Sequence, residues 1–216
     1  MRTEERLRKL KSWTYETCCK GREMKAPAPN GDISKVVRQE PGCFLAFAPT
    51  RPDQTGEEVS PLTAAPGIIL APVGGDVRFK EERRFDRYSG VHRPQDMGQS
   101  LTIQAIFIVY EDGVRLPGFI DDAEAGKEFP MDKIREGTEN GLFTLCNWMD
   151  DFKEALDSIG TIPGTDLIVN EEEFTYNWYA DQKVISDRRP TFVGMVTVRF
   201  QCHADAINQQ VQDLLR

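Results

Sequence analysis

Apolar and polar positions repeat with two periods along this chain, and the changes of period mark its elements. Between residues 101 and 110, Leu101, Ile103, Ala105, Phe107 and Val109 line one face, and Ile106, Ile108 and Tyr110 line the other. Apolar side chains on both faces predict a central strand. Further on the spacing switches to alternating intervals of three and four. Leu142, Leu145, Met149, Phe152, Leu156 and Ile159 then share a helix face, with Asp150, Asp151, Lys153, Glu154 and Asp157 opposite. Gly160 and Pro163 stop this helix. Gly137 and Gly141 weaken its first turns and place its start between residues 132 and 138. Period two returns over residues 167–179, with Phe174, Tyr176 and Trp178 on one face. It continues over residues 191–202 with Phe192, Gly194, Val196, Val198, Phe200 and Cys202. These runs predict an antiparallel hairpin with a loop of about ten residues around Ser186 to Pro190.

The first half is less regular. Leu7, Leu10, Trp13 and Thr17 form a thin apolar stripe over residues 3–20, which predicts an amphipathic helix ended by Gly21. Glu4 and Glu5 suit the positive end of its dipole. Eight of the thirteen prolines then fall between Pro27 and Pro72. They exclude regular helix and disfavour central strands, because proline donates nothing to a ladder. Residues 22–60 read as an extended arm or insertion, within which the apolar island 43–48 is suited to an added strand. Residues 67–73 read as the first core strand, closed by Gly74 and Gly75. Residues 76–99 read as a long loop or a protruding hairpin, and Asp112 with Gly113 as a turn. Residues 205–216 form a polar tail. The predicted fold is α+β, a mixed or antiparallel sheet of about four core strands packed on the long helix and an N-terminal helix, with a Pro-rich extended arm. Residues 1–216 form a single domain whose core spans 62–203.

Charge and cysteine usage narrow the class. A formal charge of −8 argues against a generic polyanion-binding surface. The five cysteines are odd in number and include the adjacent pair Cys18 and Cys19, which suggests reduced thiols in a cytosolic setting. The N-terminus carries charge where a secretory peptide needs an apolar core. The longest apolar run, 105–110, is too short for a bilayer span, so no membrane association is expected.

Candidate chemistry is sparse. Cys18 and Cys19 have no neighbouring Cys-x-x-Cys or histidine to complete a metal site, and read as helix residues with one facing inward. Cys202 and His203 fall on opposite faces of a strand. His92 and His203 are the two histidines, which leaves few players for histidine acid–base catalysis. The carboxylates Asp121, Asp122 and Glu124, then Asp150 and Asp151, then Glu171, Glu172 and Glu173, are the alternative source of an active site. Solvated surface is the default for each, the last group lying at a strand start or bulge. Residues 78–93 interleave Lys80, Arg83, Arg84 and Arg87 with Phe85 and Tyr88, a pattern suited to single-stranded nucleic acid or to a charged contact loop. Gly74 and Gly75 match no phosphate-binding fingerprint. No catalytic residue, cofactor or metal ligand is predicted, which favours a part that assembles over one that turns over substrate. A carboxylate enzyme and a nucleic-acid-binding module are the alternatives.

The order helix, strand, loop, strand, long helix, antiparallel hairpin resembles the tail terminator (tail completion) proteins of long-tailed bacteriophages. The matching stretches are Pro66-Gly-Ile-Ile-Leu-Ala-Pro72, the strand 101–110, the helix 141–159 and the strand beginning Arg188-Arg189-Pro-Thr-Phe-Val-Gly. The long proline-rich insertion departs from the family's shorter pattern and leaves other neck, tail or baseplate components as alternatives. The resemblance implies a virion protein, assembled in the host bacterial cytoplasm, that forms a hexameric ring. Its partners would be further copies of itself, the tail tube protein and the head–tail connector or neck protein, with DNA passing through unbound. Interface candidates are Phe44, Phe47, Arg83, Arg84, Arg87, Arg188 and Arg189. Glu171, Glu172 and Glu173 are candidates for lining the lumen.

Overall fold

The computed structural model describes residues 1–27, 36–46, 65–75, 77–85, 92–111, 131–178 and 191–202. Helix α1 (Thr3–Thr14) runs into a single π-helical turn, Tyr15–Cys19. Its wide ring is closed by the Lys20 amide donating to the Tyr15 carbonyl at 2.9 Å. The extra residue in that turn rotates the buried face. Arg6, Leu10 and Thr14 face inward along α1, and then both Cys18 and Cys19 do, while Thr17 is exposed. A uniform period of 3.6 therefore misplaces Thr17 on the stripe and buries only one of the two cysteines. Gly21, at φ 74°, ends the segment as expected.

The described residues form eight strands, six before the second helix and two after it: β1 (Met24–Pro27), β2 (Val36–Gln39), β3 (Gly42–Leu45), β4 (Gly67–Gly74), β5 (Val77–Phe85), β6 (His92–Tyr110), β7 (Leu167–Asn177) and β8 (Thr191–Cys202). β1 and β2 pair as a separate antiparallel ribbon. The others form one mixed sheet in the order β3-β4-β6-β8-β7, with β5 paired to β6 off that path. β3 lies parallel to β4, and every other pairing is antiparallel. The sheet thus has six strands where the sequence pattern counts about four. The two additional strands are the island at 43–45, which takes the edge beside β4, and β5, which falls in the stretch read as a loop or hairpin.

β6 is central, as its two apolar faces predict, but it starts at His92 instead of Leu101. Residues 102–108 pair with β4 and residues 99–110 with β8. The stretch before them pairs with β5.

Helix α2 (Met131–Ile159) crosses one face of the sheet and begins slightly before the expected window. Leu145, Met149, Phe152 and Leu156 are buried, as their spacing predicts, and so is Trp148. The Phe107 ring of β6 meets Trp148 edge-on at 5.3 Å and Phe152 at 5.5 Å between centroids. Such aromatic pairs contribute ~0.5–1.5 kcal/mol each beyond their burial. The Trp148 Nε1–H donates at 2.9 Å to the Cys18 carbonyl, one of the acceptors a helix end leaves open. Trp13 reaches Phe152 from α1 at 6.2 Å, so both helices share this face.

Two glycines let helix and sheet approach. A methyl group at Gly194 of β8 would lie 2.5 Å from Met149 Sδ, and one at Gly141 of α2 would lie 2.6 Å from Phe192 Cδ2. Gly141 therefore weakens the helix locally in order to seat a ring from β8.

The other face of the sheet carries a smaller apolar cluster of Ala65, Ile69, Ile108 and Tyr110. Val36 from β2 and Phe44 from β3 pack onto it. An ion pair between Lys25 of β1 and the buried Glu111 fixes the ribbon beside it.

Candidate assembly surfaces

A buried polar lock joins three distant parts of the chain. Arg6 is 5% exposed in the middle of the inward face of α1. Its Nε and Nη2 donate to the two carboxylate oxygens of Asp166 at 2.8 and 2.5 Å, and Nη1 donates to Gln99 Oε1 at 3.0 Å. The forked guanidinium matches the carboxylate in geometry and charge. Arg6 holds the Asp166 carboxyl below its ordinary range, chiefly by that hydrogen bonding. Lys9 adds a bond to the Gly164 carbonyl at 2.7 Å. These contacts dock α1 onto the turn that follows α2. They make a structural clamp, since the guanidinium is fully engaged within the chain.

The cysteines are buried thiols. Cys18, Cys19, Cys43 and Cys202 are buried and Cys146 is half-buried, with no disulfide among them. Burial pushes the Cys18 thiol up to about 12. The Cys19 thiol donates to the Gly42 carbonyl at 3.9 Å, and its interaction with the neighbouring Cys43 thiol raises Cys19 and lowers Cys43. Among the described residues no cluster of three or more His, Cys, Asp and Glu could hold a metal ion. Asp150 and Asp151 are exposed on α2, and Asp151 pairs with Arg22. Asp121, Asp122, Glu124 and His203 lie outside the described residues.

The interface candidates fall in different places. Phe44 is half-buried, packed on the second apolar cluster with its ring over Gly42. Arg83 and Arg84 lie on β5, opposite Pro94 and Arg93 of β6. Phe47, Arg87, Arg188 and Arg189 lie outside the described residues. Glu171, Glu172 and Glu173 sit where the register of β7 against β8 shifts, between Val169 and Phe174. That is a bulge, one of the two positions their sequence suggests, at which a strand bends and breaks its ladder.

Among the described strands β7 is the last of the sheet, and beside it lies a surface that the sequence pattern does not single out. Tyr176 and Trp178 stack with centroids 5.1 Å apart and planes 17° from parallel. Trp178 is 36% exposed, and Phe143 on α2 is 58% exposed. Phe143 shares a helical stripe with Asp150, Glu154 and Asp157, three or four residues apart or multiples thereof. Burial, and then the charges of Asp150, Asp157 and Glu154, push the Tyr176 phenol up to about 12. Lys153 partly offsets this acidity, bonded to Asp157 at 2.6 Å and placed over the Phe174 ring at 5.8 Å. The patch is aromatic and net acidic. The signal in the sequence is the aromatic alternation at 174, 176 and 178, which places the three on one face of a strand. No protein-family model matches the chain, and no curated protein or solved structure does either.

Proposed function

We propose that this chain is a non-enzymatic virion structural protein, a tail terminator-like subunit that closes into a ring on the last layer of a phage tail tube and joins it to the head or neck. The observation that carries the reading is the length of β6. Its 19 residues exceed what the core uses, and its first part pairs with β5 alone among the described strands. A hairpin continued past the core sheet is a poor investment for an isolated globule and a natural contact for a neighbouring subunit. Ring subunits need such elements, because a heterologous interface closes only when one surface reaches a different surface of the next copy.

Three further features support the reading. The Pro-rich segment 22–60 serves as an arm toward a neighbour, its described strands forming the separate β1–β2 ribbon and the added edge strand β3 around the core strands β4, β6, β8 and β7. The succession of strand, central strand, long helix and closing antiparallel pair, β4, β6, α2, β7 and β8, resembles the tail terminator pattern. A ring of subunits each carrying −8 would repel passing DNA instead of trapping it. The lumen would then be lined by acidic groups such as Glu171, Glu172 and Glu173.

Light scattering on the full-length protein, with negative-stain imaging of the large species, tests this. The expected result is a closed hexameric ring with a central hole, or a monomer that forms one on the ends of added tail tubes. A chain that stays monomeric and leaves tube ends uncapped overturns the reading.

A further inference from the structure

The ring reading leaves open which surfaces meet. We propose that the outer edge of β7, with the Tyr176–Trp178 stack and the acidic stripe of α2 beside it, docks the basic strand β5 of a second copy of this chain. The inference rests on the ring reading and assigns its contact.

Charge chooses the occupant. β5 reads Val77-Arg-Phe-Lys-Glu-Glu-Arg-Arg-Phe85, with four basic residues against two acidic ones in a chain that is acidic as a whole. The patch beside β7 presents Asp150, Glu154 and Asp157 against Lys153. Arginine stacks on aromatic faces as well as pairing with carboxylates, so a strand rich in arginine suits Tyr176 and Trp178 in both respects. Close charge complementarity of this kind sets register and partner choice across an interface.

Topology chooses it too. β7 is the terminal strand of the sheet, and β5 lies off the sheet's main path with β6 as its partner. Among the described strands neither has a neighbour on its outer side, so each is suited to accept another there, the usual route of strand addition. The competing arrangement, β7 against β7 of a second copy, would bring two Glu171–Glu173 bulges together. Like charges opposed across strands are unfavourable, whereas the four basic residues of β5 complement them. The contact is thus between two different surfaces, the heterologous kind whose repetition makes a ring when its rotation closes.

The test is a charge exchange in the full-length chain. One variant carries Asp150→Lys and Glu154→Lys, both at exposed positions; the other carries Arg83→Glu and Arg84→Glu. Sedimentation velocity at low salt reads the assembled fraction. Each variant alone should dissociate at least ~10-fold more readily than the wild type, since reversing charges in a close contact costs a kcal/mol or more. An equimolar mixture should reassemble, because each altered surface then meets its complement and the unaltered pair also remains. Reassembly shows that both variants are folded. Variants that assemble like the wild type would overturn this contact while leaving the ring intact, and a mixture that stays dissociated would overturn the pairing of these two surfaces. A wild-type chain that is monomeric at low salt would overturn self-docking, and tube-end capping then judges the ring reading separately. Trp178→Ser gives an independent reading: it should lower the assembled fraction without lowering the melting temperature, and unchanged assembly would count against the patch.

Discussion

Gly141→Ala sets two effects of opposite sign against each other. In the interior of a helix the change should stabilise by ~1 kcal/mol, because alanine loses less backbone freedom on folding. Here the added methyl would stand 2.6 Å from Cδ2 and 2.7 Å from Cζ of Phe192, well inside van der Waals contact. Gly141 is buried and Phe192 half-buried, so the ring can yield only in part. Overpacking of this kind costs ~1–3 kcal/mol. The net expectation is a destabilisation of ~0–2 kcal/mol, the packing term offsetting the propensity term. In a Phe192→Ala background the ring is gone, and the same change should stabilise by ~1 kcal/mol. The coupling between the two sites is therefore ~1–3 kcal/mol. Urea denaturation measures it, followed by far-UV circular dichroism and by the fluorescence of the buried Trp148. If Gly141→Ala stabilises equally in both backgrounds, the ring does not occupy the glycine and the packing of α2 on β8 is misdrawn.

Asp166→Asn should destabilise by ~1–3 kcal/mol at neutral pH by weakening the fork to buried Arg6. Because the folded-state carboxyl lies below its ordinary value of 3.8, the pair stabilises above that pH and loses its contribution as the pH falls through the lower folded value. Wild type should accordingly lose stability on acidification more steeply than the variant in denaturation curves taken across that range; parallel slopes would refute the pairing. Thiol titration of the native protein should find Cys146 reacting first, with Cys18, Cys19, Cys43 and Cys202 unreactive until denaturant exposes all five. Prompt reaction of Cys19 or Cys43 would mean that the π turn does not pack against β3.

Much of the fold is legible as periodicity. The face of α2 running from Leu145 to Leu156, the two apolar faces of β6 and the inward row of β8 follow from spacing alone, because burial on one side of a regular element imposes its period on the sequence. Even the bulge in β7 left a trace, since three consecutive glutamates interrupt an alternation that resumes at Phe174. The candidate surface was less legible. The aromatics at 174, 176 and 178 were visible as a row, but a row does not say whether another layer covers it. Trp178 is 36% exposed at the end of the last strand in the described sheet, a matter of strand order.

Local pattern by itself determined the α+β class, the long amphipathic helix and the closing hairpin, since each depends on neighbours a few residues apart. Tertiary structure alone decided the rest. Arg6 reads as a solvated cation within its own helix, and its partner stands 160 positions away. The π turn that buries both Cys18 and Cys19 is set by what α1 packs against. The glycines at 141 and 194 look like weak points until the ring and the sulfur that need their space are in place. Such features depend on contacts between segments remote in the chain, and periodicity carries no record of which segments meet.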